Sequence, residues 1–330
     1  MTVRFSGLSC LLVLVAIALG VVLSGCVPTV IATVSLTNGG YGVAVNPSTN
    51  RVYVPSKFSD SVFVIDGATN TVTATVAVGH FPMEVAVNPS TNRVYVSNQS
   101  SNTVSVIDGA TNAVIASVPI GQCPRFVAVN ETMNRVYVSN DCSDSVSVID
   151  GETNAVVATV PVADRPAGLA FNPNTNRLYI ASHSAILSVI DANTNAVVDS
   201  IPLSGSPESV ACDPATGRIY VANDAWNQPS STLYVIDAST LTVIATIGLS
   251  GGYHHGVAVN GATGRVYVTN GDYGSLSVID AITNVPDSSI VLPAQSWGVA
   301  VNPVTNRVYS ANPADNVVSV IQDYLRPSGG

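Results

Sequence analysis

The chain has 330 residues, 47% of them hydrophobic and only 10% charged, with a formal charge of -9 and a single lysine, Lys57. Nucleic-acid backbones are bound by clustered Lys and Arg, and seven of the eleven arginines sit at one repeated position, so the composition excludes a nucleic-acid partner. The length would serve two ordinary domains, but an internal repeat makes it one unit.

Residues 1–25 read as a signal peptide. Arg4 supplies a positive start, and Leu8 to Leu23 is an apolar run too short to span a bilayer comfortably. Leu23-Ser24-Gly25-Cys26 resembles the lipobox of prokaryotic lipoproteins. On that reading Cys26 is the lipidated first residue, 26–28 is a tether, and the protein is extracytoplasmic, lipid-anchored to the cell envelope of a prokaryote. The alternative is an uncleaved membrane anchor.

From Gly42 the chain alternates strand-length apolar runs with turns. Gly42 to Val45 is followed by the turn Asn46-Pro47-Ser48-Thr49-Asn50. Arg51 to Val54 leads through a polar loop to Val62–Ile65, and Asp66-Gly67-Ala68-Thr69-Asn70 turns the chain into a half-polar run, Thr71 to Val78. Pro, Gly and Asx residues break strands by fixing φ, permitting positive φ and bonding local backbone. No run has a helical period. The pattern recurs after Arg51, Arg93, Arg135, Arg177, Arg218, Arg265 and Arg307, at steps of 42, 42, 42, 41, 47 and 42 residues by subtraction. Four strands per forty-odd residues is a propeller blade.

Val266-Tyr267-Val268-Thr269-Asn270, the Val-Ala-Val-Asn-Pro before most copies and the Val-Ile-Asp-Gly or Val-Ile-Asp-Ala after them resemble the YVTN-type, YncE-like β-propeller repeat proteins. The resemblance covers residues 29–322 and implies the fold; members have been linked to DNA, which this acidic chain does not suit. Propellers host many unrelated activities, so the fold does not name the function.

The expected fold is all-β: a seven-bladed propeller with four antiparallel strands per blade over residues 29–322, then a polar tail, 323–330. Blades begin near Tyr41, Met83, Arg125, Ala167, Glu208, His255 and Trp297. The last blade lacks its fourth strand, and Thr29–Leu36 matches Thr71–Val78 at an offset of 42. The N-terminal strand is therefore expected to complete the last blade and close the ring. A hairpin register pairing residue 52 with 65 sets Arg51 opposite Asp66, and likewise Arg93 opposite Asp108 and Arg135 opposite Asp150, as cross-strand ion pairs. Extending the blade 3 register sets Cys123 opposite Cys142, a disulfide in an exported protein. Cys212 replaces a strand valine and reads as a buried thiol.

The bottom turns are monotonous and the top loops diverge. The column opening each blade places Tyr41, Met83, Arg125, Ala167, Glu208, His255 and Trp297 around the top mouth of the channel, with Arg165, His254, Tyr253 and Gln295 just outside. All four histidines and both tryptophans, including Trp226, fall in top segments. Aromatics with Arg, His and Glu around a concavity form a binding site, expected to use Tyr41, Met83, Arg125, Arg165, Glu208, His254, His255 and Trp297. The competing reading is a solvated rim. No metalloprotease, P-loop or nucleophile-elbow motif is present, and no cofactor or metal is expected. The leading function is a recognition module for an unknown protein, glycan or small-molecule ligand. The alternatives are a lactonase-like hydrolase or lyase using the His/Glu/Arg ring, and a structural cell-surface component.

Overall fold

The computed structural model describes residues 27–224, 231–250 and 252–325. The expected signal segment, Cys26 and Trp226 lie outside them. The described residues form strands β1 to β28 in seven four-stranded antiparallel sheets, the blades of a propeller. Blade 1 runs from the channel outward as β2 (Ala44–Asn46), β3 (Arg51–Ser56), β4 (Ser61–Asp66) and β5 (Thr71–Ala77). Blade 7 is β26 (Val299–Asn302), β27 (Arg307–Asn312), β28 (Val317–Gln322) and the N-terminal β1 (Thr29–Ser35). β1 lies antiparallel to β28, with Thr29 opposite Gln322 and Ser35 opposite Val317. The strand exchange is therefore present, and Val34 and Leu36 are buried in the seam between blades 7 and 1.

The turns follow from their residues. The Asp66 carboxylate accepts the N–H groups of Ala68 (2.8 Å) and Thr69 (2.9 Å), and Asn70 takes φ of 56°. Asn46 does the same for Ser48 at 3.0 Å. Asx side chains capping their own turns, with Asn in the left-handed region, stop each strand at a fixed residue.

The tyrosine of the repeat holds neighbouring blades together. Tyr53, Tyr95, Tyr137, Tyr179, Tyr220, Tyr267 and Tyr309 are all fully buried. Tyr53 packs among Val85, Val94 and Val96 of blade 2, and Tyr309 among Val52, Val54 and Ile65 of blade 1. Each such ring removed from water contributes about 2 kcal/mol, so the motif stabilises the seam between blades rather than its own sheet.

The expected arginine–aspartate ion pairs are not made. The register is as expected, with Arg51 opposite Asp66, Arg93 opposite Asp108 and Arg135 opposite Asp150. No charged-atom contact within 4.0 Å joins these pairs among the described residues. Each carboxylate instead turns back on its own loop N–H groups, which hold Asp66, Asp108 and Asp150 below the usual carboxylate range. Each guanidinium crosses to the next blade: Arg51 to the Gly109 carbonyl, Arg93 to Gly151 at 2.7 Å and Arg135 to Ala192 at 3.3 Å. Asparagines join the same seams, Asn88 to Asn134 at 2.8 Å and Asn302 to Asn50 at 2.9 Å. At blade 6 the recipient is a carboxylate: Arg265 donates to Asp323 at 2.5 Å. Asp323 is 1% exposed and also accepts from Asn260 and Thr263. The stretch expected as a polar tail thus begins with a buried latch.

Cys123 and Cys142 form a disulfide with Cα atoms 5.3 Å apart. A bulge between Pro124 and Val127 shifts the backbone register by one, so Cys123 faces Asp141 across the backbone, yet the thiols still meet. Closing a loop of 19 residues stabilises by roughly 3 kcal/mol in the chain-entropy view. Cys212 is free and packs on the core of blades 4 and 5, where burial pushes its thiol up.

Candidate functional site

The column that opens each inner strand converges at the channel mouth. Tyr41, Met83, Arg125, Glu208, His255 and Trp297 line one cavity of about 20 Å³, room for a single water, together with Glu84 and Phe126. Ala167 occupies the same column in blade 4 and is fully buried. The ring residues are held by their backbones. The N–H of Gly298 donates to the Tyr41 carbonyl at 2.9 Å, and a Cβ on Gly298 would lie 2.6 Å from that oxygen, so no larger residue fits this approach.

Two of the expected site residues lie elsewhere. Arg165 has a side chain 63% exposed and reaches Asp141 at 3.3 Å, outside the funnel. His254 is fully buried; its Nδ1–H donates to the Thr269 carbonyl at 2.6 Å and its backbone N–H to Asp224 at 2.5 Å. Burial holds its imidazole below the ordinary value, hence neutral. The 42-residue spacing placed these residues near the mouth but not the direction of their side chains. Among the described residues no group of three His, Cys, Asp or Glu converges as a metal-ligand set.

The funnel divides into a charged half and an aromatic half. Glu208, 3% exposed, is the hub of the charged half. It accepts from Arg125 and from His183 Nε2 at 2.5 Å, and His255 Nδ1 lies 3.6 Å away. Burial alone would raise its carboxyl, but the Arg125 guanidinium, with His183 and His255, holds it well below the usual carboxylate range. Two further carboxyls go the other way. Burial pushes Glu84 up to about 8, and burial together with the Glu208 charge raises Asp224 to about 6. The mouth therefore holds one fixed carboxylate and one carboxyl that stays neutral near pH 7.

His183, Glu84 and Asp224 were missed by the column. His183 projects from a loop between middle strands and Asp224 ends one, while Glu84 stands one residue past the column position, where most blades have Gly or Ser. The signal available for His183 was that every histidine falls in a top loop.

The aromatic half is continuous across blades 6, 7, 1 and 2. His255 stacks on Trp297 with centroids 3.8 Å apart, and Tyr253 lies parallel to His255 at 5.9 Å. Tyr41 meets Trp297 edge-on at 4.8 Å, and Phe58 and Phe81 extend the row at 6.1 and 6.2 Å. Beside this row, Tyr253, His255, Gly271, Asp272, Gln295 and Trp297 line a groove of about 310 Å³. That is the order of a small-ligand pocket.

The family model described as "Lactonase, 7-bladed beta-propeller" matches residues 24–114, less than a third of the chain. No curated protein matches. Among solved structures, a chain of Kuenenia stuttgartiensis hydrazine synthase superposes with a TM-score of 0.80 at 20% identity, over 88% of this chain and 97% of that one. A chain of a mitotic checkpoint complex gives 0.80 at 13% identity, over 92% and 94%. Identities this low carry the fold alone. What the comparisons support is a seven-bladed β-propeller whose opening repeats are similar to the lactonase propellers.

Proposed function

We propose that this protein is an envelope-anchored, extracytoplasmic recognition module that takes a sugar-bearing ligand on its top face. The observation that carries this reading is the row of rings Tyr253, His255, Trp297 and Tyr41 bordering a groove that also presents Asp272 and Gln295. A pyranose has an apolar C–H face that packs on aromatic rings and a rim of hydroxyls that a carboxylate and an amide can bond. Titration of intrinsic fluorescence with a panel of neutral and amino-sugar oligosaccharides tests it. Saturable change is expected in the parent, with loss in Trp297→Ala and weakening in Asp272→Asn. A panel without response, or Trp297→Ala binding as the parent does, overturns the reading.

The anchor gives the face its direction. β1 starts on the bottom face, where Thr29 lies opposite Gln322 and the Gln322 amide bonds the bottom-turn carbonyls of Thr305 and Asn306. Only Val27 and Pro28 separate Thr29 from Cys26, a reach of about 7–10 Å. A diacyl or triacyl lipid on Cys26 would keep the bottom turns at the membrane and the groove away from it. A Cys26→Ser protein that still fractionates with membranes after signal removal would sink the anchor.

A second reading, a lactonase-like hydrolase or lyase, is favoured by the family match over residues 24–114 and by the neutral Glu84 carboxyl beside the Arg125–Glu208 pair. Proton release from glucono-δ-lactone at constant pH tests it; turnover abolished by Glu84→Gln would replace the first reading with this one.

A further inference from the structure

Lys57 is the chain's single lysine, and its surroundings are unusual for one. Its Nζ lies 4.1 Å from the centroid of Phe81, 4.7 Å from Tyr41 and 5.6 Å from Phe58. Tyr41 meets Phe58 at 74° and Phe81 meets Phe58 at 88°, so both flanking rings stand nearly perpendicular to Phe58 about the amine. No carboxylate lies within 4.0 Å of it among the described residues. Phe81 holds its place with φ of 60°, a conformation an aromatic residue rarely adopts. Phe58 is 71% exposed, so the cage opens to solvent on the top face. Tyr41 is shared, since it also lines the cavity that contains Glu84 and Arg125.

We infer that Lys57 is a covalent-capture site, whose free amine forms an imine with an aldehyde or ketone carrying a planar apolar body. The inference rests on the reading that ligands enter this face. Lysines become nucleophiles when they are desolvated in an apolar pocket or set beside another cation. Burial, and secondarily the Arg125 charge, lowers the Lys57 ammonium below its ordinary value, against the attraction of the three ring faces for the cation. The chemistry balances without a further reagent. The nitrogen lone pair attacks the carbonyl carbon, and a proton moves from nitrogen to the oxygen to give a carbinolamine. The hydroxyl then leaves with a proton as water, and nitrogen loses its last proton to give the neutral imine. The three rings provide the apolar walls against which the body of the carbonyl compound would pack.

The test uses the full folded chain, benzaldehyde and sodium cyanoborohydride at pH 7, with peptide mass mapping to separate Lys57 from the N-terminal amine. Native Lys57 is expected to label severalfold faster than the same residue in urea, and the native-to-unfolded ratio should be larger for benzaldehyde than for acetaldehyde. Phe81→Leu should bring the native rate toward the unfolded one, with circular dichroism confirming the fold; Lys57→Arg should leave only the N-terminal label. Native labelling at or below the unfolded rate overturns the reactive amine, and equal ratios for the two aldehydes overturn the ligand class. Aldehyde labelling needs no oligosaccharide, so this inference and the sugar-binding reading fail separately.

Discussion

Thr269 donates its hydroxyl to the carbonyl oxygen of Trp297, 2.8 Å away and 28 residues further on, in the next blade. The Thr269 hydroxyl oxygen in turn accepts the N–H of Gly256 at 2.8 Å. Ser97 makes the equivalent bond to the Arg125 carbonyl at 2.5 Å. The hydroxyl of the repeat motif therefore fixes the backbone of the next ring residue, linking a fold motif to the site. Thr269→Val keeps the shape but leaves a buried N–H unpaired, at a cost of about 1–3 kcal/mol, whereas Thr269→Ser should stay close to the parent. Denaturant unfolding measures both, and a valine variant within about 0.5 kcal/mol of the parent rejects the role.

Glu208 is expected to be the most sensitive charged residue. Removing one partner of a buried charge cluster costs about 3–5 kcal/mol because the other charges remain buried. Glu208→Ala leaves Arg125 facing two histidines without their carboxylate. Arg165→Ala, at an exposed pair, should change stability by less than about 1 kcal/mol. Thermal and urea unfolding of the two variants should separate them clearly; similar values would mean that the cluster is solvated.

Glu84 gives the protein a defined pH response. Its folded carboxyl keeps its proton to about pH 8, while the ordinary value is 4.5. Between those values the folded protein binds more protons than the unfolded chain, so this group's contribution to stability falls as pH rises. Glu84→Gln cannot lose a proton. The stability of Glu84→Gln relative to the parent should therefore increase steadily from pH 5 to pH 8. A difference that does not change with pH would show that Glu84 is charged and solvated.

Ring closure should be the stability bottleneck. β1 supplies the outer strand of blade 7, and Leu36 seals the first seam. Deleting residues 27–38 exposes the edge of β28 and the Tyr309 cluster, and should lower the melting temperature of the whole ring rather than of one blade. A truncated protein that melts with the parent would remove closure from the account.

The column of ring residues was legible because a fixed period carries equivalent positions to equivalent places. Tyr41, Arg125, Glu208, His255 and Trp297 meet for that reason alone. The same logic failed for His254, one residue earlier, because neighbouring residues at a strand entrance point to different sides, and only packing against Thr269 decided which. Arg51 and Asp66 were correctly set opposite each other, but opposition in a ladder does not decide what a long side chain bonds. Asp66 found nearer donors in its own turn, and Arg51 found a carbonyl across the seam.

The sequence by itself determined the number of blades, the strand exchange, the turn chemistry and the disulfide partners, because each depends on local pattern repeated at a known spacing. Only the tertiary structure decided what the mouth of the channel is. Closing the ring brings blades 3, 4, 5 and 6 together at Glu208, and blades 6, 7, 1 and 2 into one aromatic row ending at Lys57. Those contacts join residues as far apart as Tyr41 and Trp297, and no periodicity in the chain encodes which side chain of one blade meets which of the next.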